Sequence, residues 1–131
     1  MEVRRVGQHS FVGTNDRGAE VRIGRQGQQG SFTPVELLLA AAAGCVAVTA
    51  ESLITRRIGE EAELLAFADD VRPENAHELE SVPVRLDFDP STLDDEQREA
   101  LEKAVRRAVD QLCTVTRTLK RATATPLELP S

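Results

Sequence analysis

The feature of the sequence that most constrains its fold is an apolar stretch from Leu37 to Ala50 that contains no charged side chain. Alanine dominates this stretch and gives it high helix propensity, although Val46 and Val48 are weaker helix formers. A helix that is apolar on every side has to be buried on every side, so we predict a central helix that other elements surround. The stretch is about 14 residues long, below the roughly 18 to 20 that cross a bilayer, and we therefore predict no membrane span.

The start and the end of this helix are marked in the sequence. Thr33 is a good N-cap, Pro34 suits the first helical position, and Glu36 can bond back to the cap. This pattern is a capping box with proline at the first position. We predict a helix from Pro34 to about Arg57 that ends near Gly59, a residue type suited to a helix C-terminus.

Strand patterns lie on both sides of the helix. Before it, glycines separate short segments in which apolar and polar residues alternate, as at Val21 and Ile23, and these segments predict strands joined by turns. After it, residues 62–72 and residues 79–89 are typical of two strands. Pro83 in the second of these favours an edge position or a bulge, because proline lacks the N–H of a ladder bond.

A second, amphipathic helix follows these strands. Its cap is predicted at Ser91 or Thr92, and its apolar stripe ends at Cys113. A final strand is predicted over residues 121–129. The order of strands, buried helix, strands, amphipathic helix and strand predicts a single α+β domain over residues 1–131.

The overall composition narrows the class of protein. Hydrophobic residues make up 40% and charged residues 29% of the chain, which predicts a soluble folded domain. The net charge is -6 and no basic block with interleaved aromatics occurs, which argues against a nucleic-acid partner. The N-terminal residues contain no apolar leader, so we expect a cytoplasmic protein. With 4 Phe and neither Trp nor Tyr the core is thin, which favours an oligomer.

The two cysteines, Cys45 and Cys113, are the candidate reactive groups. They form no Cys-x-x-Cys motif, and the only histidines, His9 and His77, are distant in sequence. The chain therefore lacks the four ligands at recognisable spacing of a structural zinc site, and we predict no metal. Two helices packed on one sheet could bring the thiols together as a redox pair. Two unrelated cysteines that fill core space are the alternative.

A reactive thiol in the apolar helix needs a cation from outside that helix. Burial among apolar side chains raises the pKa of a thiol, and only the thiolate is nucleophilic. Cys45 lies too far beyond the cap for the helix dipole, which acts within the first turn. The N-terminal segment offers several arginines, notably Arg17, Arg22 and Arg25. Each of them could equally be an ordinary solvated side chain.

Two segments, TPVELLLAAAAGC and CTVTRTL, resemble the motifs of the OsmC/Ohr family, Pro-x-Glu-Leu-Leu-x-x-Ala-x-x-x-x-Cys and Cys-Pro-Val-Ser-x-x-Leu. The resemblance covers nearly the whole chain. It implies an OsmC-like fold and an intertwined homodimer with two equivalent sites at the subunit interface. It also implies a thiol-dependent peroxidase that acts on organic hydroperoxides, with hydrogen peroxide as a second substrate.

The resemblance implies roles for four residues of this chain. Cys45 matches the peroxidatic cysteine, which becomes a sulfenic acid, and Cys113 matches the resolving cysteine, which condenses with it to a disulfide. Arg25 is the first candidate and Arg17 the second for the family's activating arginine. No bound cofactor is implied, since an external thiol or dithiol, such as a lipoyl group, would reduce the disulfide.

Two positions depart from the family's pattern. Val35 stands where the peroxidases carry a glutamate that orients the arginine, and Thr114 stands where they carry a proline. Glu36 lies about 100° further around the helix and has a structural role in the capping box. The alternative function is therefore a non-catalytic protein that binds a small hydrophobic ligand at the dimer interface.

Overall fold

The computed structural model describes residues 1–131, and it shows a mixed α+β domain with antiparallel strands and one long helix. The elements, in chain order, are β1 (Glu2–Gly7), β2 (Ser10–Thr14), β3 (Glu20–Gly24), α1 (Pro34–Ile58), β4 (Leu65–Ala68), β5 (Val84–Asp87), α2 (Asp95–Leu112) and α3 (Thr114–Leu119). The predicted α+β class is confirmed.

The first three strands form an antiparallel sheet in the order β1-β2-β3. Both connections are short turns that contain a residue with positive φ, His9 at 58° in the first and Gly18 at 87° in the second. In the second turn the side-chain oxygen of Asn15 accepts hydrogen bonds from the backbone N–H groups of Arg17 and Ala19. The strands and turns predicted before α1 are therefore present.

This three-stranded sheet lies apart from the helices of its own chain. Its strands contact each other, and no other element packs extensively against either face. Apolar side chains on it remain open to solvent within a single chain, since Val3 is 56%, Val6 57% and Phe11 36% exposed. A sheet of this kind needs a further surface to cover its apolar side chains.

Helix α1 has the predicted ends. The Thr33 hydroxyl accepts a hydrogen bond from the N–H of Glu36 at 3.1 Å, and the Glu36 carboxylate accepts one from the N–H of Thr33 at 2.8 Å, which confirms the capping box. Pro34 occupies the first position of the helix. Gly59 ends it with a φ of 112°, in the region that favours glycine.

Burial of α1 is one-sided within the chain, which corrects the prediction that it is covered on every side. The elements α2, α3, β4 and β5 pack against one face only. On the opposite face Gly44 is exposed and Val48 is 77% exposed. The chain has no element left to cover this face, because its other sheet lies apart. The buried residues of α1 are Ala42, Ala43, Val46, Ala50 and Ile54.

By length and composition, the whole of α1 is long and apolar enough to cross a membrane. Core helices of soluble proteins pass the same test, and α1 packs one face against four elements of its own chain. Both ends of the helix carry charge, with Glu36 in the first turn and Arg56 and Arg57 in the last.

Strands β4 and β5 form a separate antiparallel pair that packs on α1. Both are shorter than the segments 62–72 and 79–89 that predicted them, and one isolated bridge between Val71 and Ser81 extends the pair. Pro83 lies just before β5, where its missing N–H breaks no ladder bond and its carbonyl still accepts a hydrogen bond from the β4 side.

The hydrophobic core lies where α1 meets α2 and the β4–β5 pair. Its buried cluster consists of Ala50, Ile54, Leu93 and Leu101. Half-buried apolar side chains close around this cluster, among them Leu53, Leu86, Phe88 and Val105. The core is therefore built from medium-sized aliphatic residues, as the scarcity of aromatic residues in the sequence requires.

Helix α2 begins later than predicted. Ser91 and Thr92 lie in the turn that precedes the helix, and Asp94 is the N-cap. The Asp94 carboxylate accepts a hydrogen bond from the N–H of Gln97 at 2.8 Å, and the Gln97 side chain bonds back at 2.9 Å. Asp94 is the cap because Gln97, three residues later, has a side chain that can complete the second hydrogen bond of a capping box.

The predicted final strand over residues 121–129 is wrong. The chain forms no helix or strand after α3, and Leu127 and Leu129 are 82% and 77% exposed. A strand needs a neighbouring edge to satisfy its backbone groups, and this segment pairs with neither sheet of the chain.

Replacing Ile54 by alanine is expected to lower the free energy of unfolding by about 2–5 kcal/mol, because the side chain is fully buried and its loss leaves a cavity. Urea denaturation measures this loss. Leu127→Ala is the control, and it should change the stability by less than about 0.5 kcal/mol, since Leu127 is 82% exposed. Equal losses in the two variants would contradict the position of the core.

Candidate functional site

Two thiols from different parts of the chain meet where α1 passes the junction of α2 and α3. Cys45 lies in the middle of α1, and Cys113 is the residue at which α2 ends and α3 begins. The Cys45 side chain lies close enough to Cys113 to lower the pKa of its thiol, and both residues are free thiols. The structure thus brings together two cysteines for which the sequence allowed either a pair or two unrelated core residues.

The two thiols differ in their access to solvent. Cys113 is 0% exposed, whereas Cys45 is half-buried and follows directly after the exposed Gly44 on the open face of α1. A reagent that arrives from solvent therefore meets Cys45 first. Cys113 has no surface that solvent reaches.

The backbone at Cys113 is fixed by both helices that meet there. Its N–H donates to the Val109 carbonyl of α2 at 3.1 Å, and its own carbonyl accepts from the N–H of Arg117 in α3 at 3.0 Å. Thr114 is the first residue of α3. Proline is favoured at the first position of a helix, because the N–H lost there has no partner within the helix. A helix therefore begins directly after Cys113 even though threonine replaces the proline of the motif.

The surroundings of Cys113 lower the pKa of its thiol. Burial acts first and raises this pKa, but hydrogen bonds outweigh it. They come from the Thr116 hydroxyl, from Cys45, from the Thr116 backbone N–H and from the Thr49 side chain. Charged side chains are not among the causes of the shift. The thiolate of Cys113 is thus stabilised by neutral donors.

Thr49 and Thr116 are site residues that the sequence reasoning missed. Thr49 follows Cys45 by one helical turn on α1, and Thr116 follows Cys113 by three residues on α3, so both lie on the faces of their helices that carry a cysteine. The spacings of four and three residues could have identified them. Nothing in the sequence indicates, however, that the two helix faces meet.

Neither predicted arginine reaches the thiol pair within this chain. Arg17 lies in the turn between β2 and β3, is 78% exposed and pairs with Asp16 at 3.1 Å. Arg25 follows β3 and lines a cleft of about 1160 Å³ at the start of α1, whose lining extends along the helix to Leu39. Cys45 is six residues beyond Leu39, or about 9 Å along the helix axis.

The same cleft contains Val35, one of the two positions at which the sequence departs from the motifs it resembles. Val35 lines it together with Arg25 and Arg72, at the position where the family's peroxidases carry a glutamate. Glu36 also lines it, but its carboxylate is held by the N–H of Thr33 in the capping box. Arg25 therefore has no carboxylate from the start of α1 to orient it.

A second cleft, of about 1180 Å³, opens between α1, α2, α3 and the β5 region. Its walls are mainly apolar, and Val46 of α1 and Thr116 of α3 are among its lining residues, whereas Cys45 and Cys113 are not. The charged residues at its rim are mostly neutralised, as in the pair of Arg106 with Glu102 at 3.0 Å. The cleft is suited to an apolar occupant. Its apolar lining includes Leu86, Phe88, Leu101, Val105 and Leu119.

Metal ligands are not clustered in the structure. No group of three or more His, Cys, Asp or Glu side chains lies close enough together to hold a metal ion.

The free energy of unfolding under reducing conditions is expected to rise as the pH is raised toward the ordinary pKa of a thiol. The pKa of Cys113 is lowered in the folded state, so the unfolded chain binds more protons in this window and folding gains stability with increasing pH. The full gain in stability is present above the pKa that Cys113 has in the unfolded chain. It is lost as the pH falls through the lower pKa that Cys113 has in the folded protein. Urea denaturation over a pH series measures it, and Cys113→Ser should show a smaller slope. Parallel curves for the two proteins would contradict the lowered pKa.

The chain is similar to proteins of one family in both sequence and fold. The model of the family described as OsmC-like protein matches residues 27–128. An uncharacterized protein of Mycobacterium tuberculosis is 32% identical over 127 residues, which cover 97% of this chain and 93% of the relative. A hypothetical protein from Aquifex aeolicus has a similar structure, with a TM-score of 0.70 and 20% identity over 91% of this chain and 84% of the other. An OsmC like protein from Mycoplasma pneumoniae matches over the same shares, with a TM-score of 0.68 and 15% identity.

The two structural neighbours agree with the observed arrangement of strands and helices, and at this level of identity they support the fold alone. The family match spans both cysteines and all elements from α1 onward. The chain therefore belongs to the OsmC-like protein family.

Proposed function

We propose that this protein is a thiol peroxidase that reduces organic hydroperoxides through Cys45 and Cys113. The observation that carries the proposal is the closeness of these two thiols, one from the middle of α1 and the other from the junction of α2 and α3. A protein that only binds a hydrophobic ligand has no need of a thiol pair. Two cysteines that only fill core space have no need of the hydrogen bonds around Cys113.

The reaction divides into two steps with different nucleophiles. The Cys45 thiolate attacks one oxygen of the hydroperoxide, the O–O bond breaks, and the alkoxide takes a proton and leaves as an alcohol, so that Cys45 becomes a sulfenic acid. The Cys113 thiolate then attacks the Cys45 sulfur, the S–O bond breaks, and hydroxide takes a proton and leaves as water. An external thiol or dithiol, such as a lipoyl group, reduces the disulfide by exchange.

The accessibility of the two cysteines to solvent supports the proposed order of their reactions. Cys45 is half-buried and borders the open face of α1, whereas Cys113 is 0% exposed. The hydroperoxide therefore reacts at Cys45, and Cys113 reacts only with the oxidised Cys45. The apolar cleft that Val46 and Leu119 line accommodates the alkyl part of the substrate.

The active form in this proposal is a homodimer. The sheet β1-β2-β3 lies apart from the rest of the chain, and the face of α1 around Gly44 and Val48 is open, so a second copy can cover both. Small side chains on that face allow two α1 helices to approach closely. In such a dimer Arg25 of the partner subunit supplies the cation at Cys45, with Arg17 as the second candidate. A reducing cytoplasm keeps both thiols free between turnovers.

A second candidate function is favoured by one observation. Val35 leaves Arg25 without a carboxylate at the start of α1, which weakens the case for an ordered cation at the thiols. A protein of this family with a large apolar cleft and no activated thiol would bind a small hydrophobic ligand without catalysis. The reactivity of Cys45 separates the two functions.

One equivalent of cumene hydroperoxide is expected to convert reduced protein into the Cys45–Cys113 disulfide within seconds, because the two side chains already lie close together. Peptide mapping by mass spectrometry identifies the product. Cys113→Ser should instead leave Cys45 as a sulfenic acid that dimedone traps. Arg25→Ala should slow the oxidation of Cys45, and a slowing by Arg17→Ala in its place would give the activating role to Arg17.

Two results would contradict the peroxidase. Thiols that stay free for minutes after addition of hydroperoxide, in a protein that carries a bound lipid or quinone, would support the binding function. A disulfide that forms only between two chains, and never between Cys45 and Cys113 of the same chain, would contradict the proposed mechanism.

Gly44→Leu is expected to convert the dimer into a folded monomer. A Cβ added at Gly44 meets nothing within 4 Å in its own chain, so the larger side chain disturbs only a neighbouring molecule. Light scattering coupled to size exclusion gives the mass, and circular dichroism checks the fold. Arg107→Leu, which adds leucine at an exposed site of α2, is the control. A wild-type protein that is already monomeric would contradict the dimer.

A further inference from the structure

The cleft of about 1160 Å³ at the start of α1 is bordered by three arginines. Arg5 belongs to β1, Arg25 follows β3, and Arg72 lies in the segment after β4. These residues are far apart in the sequence, so only the fold brings them to one place. The cleft therefore collects positive charge in a chain whose net charge is -6.

Two of the three guanidinium groups have no partner in the chain. Neither Arg5 nor Arg25 forms an ion pair, whereas Arg72 pairs with Asp70 at 3.4 Å. A guanidinium group offers five N–H donors in a planar fork that fits a carboxylate or a phosphate. The donors of Arg5 and Arg25 are thus available to an anion from outside the chain.

The two carboxylates that also line the cleft already have partners. Glu36 accepts a hydrogen bond from the N–H of Thr33 at 2.8 Å, and Asp70 holds Arg72. His9, the remaining titratable residue of the lining, counts as neutral at pH 7. Three guanidinium groups against two carboxylates leave an excess of one positive charge. An anion with a single charge balances this excess, whereas the carboxylates would repel the second charge of a dianion.

Apolar side chains lie next to the arginines on two sides of the cleft. In the sheet, Arg5 is opposite Phe11 and Phe11 is opposite Ile23, so the three side chains form one row on one face. On α1, Val35 and Leu39 line the same cleft and are four residues apart, which places them on one face of the helix. An anion that binds here therefore meets apolar surface from both the sheet and the helix.

We propose that this cleft is a binding site for a monocarboxylate with an apolar chain. The carboxylate binds to Arg5 and Arg25, and the apolar chain lies between the sheet and the start of α1. Ligand sites commonly combine an apolar lining with a few charged groups that fix the orientation of the ligand. This site goes beyond the proposed peroxidase function, because neither thiol lines it and it shares only Arg25 with that function.

The binding of octanoate to a Cys45→Ser protein tests the inference without any peroxide chemistry. Isothermal titration calorimetry should show one site per chain. Octanol keeps the apolar chain but lacks the charge, and it should bind about tenfold more weakly or worse, because hydrogen bonds to charged groups are worth at least this factor. Acetate keeps the carboxylate but lacks the chain, and it should also bind more weakly, since it buries less apolar surface.

Two variants locate the site within the fold. Arg5→Gln should weaken octanoate binding by about tenfold, since it removes one of the two free guanidinium groups. Val35→Glu adds a carboxylate beside Arg25 that competes with the ligand, and it should also weaken binding. An acidic residue in the first turn of a helix is favourable, so this variant should fold. Circular dichroism checks the fold of both proteins.

Arg22→Gln is the matched control for the change of charge. Arg22 is opposite Val12, in the row of the sheet next to that of Phe11 and Ile23, so its side chain lies on the other face. It does not line the cleft. This variant removes the same charge from the same sheet, and octanoate should bind to it as tightly as to the parent protein.

Three results would overturn the inference. These are an affinity for octanol equal to that for octanoate, an equal loss of binding in Arg5→Gln and Arg22→Gln, and tighter binding of octyl phosphate than of octanoate. The absence of any octanoate binding would have the same consequence. Because the Cys45→Ser protein lacks the proposed peroxidatic thiol, the expected binding pattern would establish the site even if the wild-type protein formed no disulfide with hydroperoxide.

Discussion

The contact between α1 and the α2–α3 junction is the interaction on which the rest of this structure depends. The side chains of α1 that face its neighbours include Ala42, Ala43 and Ala50, which lets the helices pack closely. The same contact places Cys45 against Cys113. Stability and the candidate chemistry therefore share one interface, and a change that separates the helices would affect both together.

The chain stabilises charge at its buried thiol with neutral groups. Cys113 has hydroxyl, thiol and backbone donors around it, and their combined effect exceeds that of burial. The arginines of the N-terminal segment lie elsewhere, Arg25 in the cleft at the start of α1 and Arg17 in an exposed turn. The groups that lower the pKa of the inner thiol, Cys113, therefore all come from α1 and α3.

Three features of the single chain have the same physical cause. The three-stranded sheet lies apart, one face of α1 is open, and the segment after α3 pairs with no sheet. Each leaves apolar side chains in water, as at Val3, Val48 and Leu127. These three exposed apolar surfaces are the ones that the proposed homodimer would have to cover.

Local sequence determined those parts of the protein whose causes lie within a few residues. The capping box of Thr33 and Glu36, the end of α1 at Gly59 and the α+β class were all predictable, because caps, turns and periodicity act over one or two helical turns. The cap of α2 was misplaced among several good candidates, since only the reciprocal bond between Asp94 and Gln97 decides it.

Tertiary structure alone decided which helix faces meet. It put Thr49 and Thr116 beside Cys113, kept Arg25 away from the thiols of its own chain, and left residues 121–129 without a strand partner. Contacts between residues far apart in sequence depend on how whole elements pack, and a periodic pattern tells which side of a helix is apolar but not what covers it.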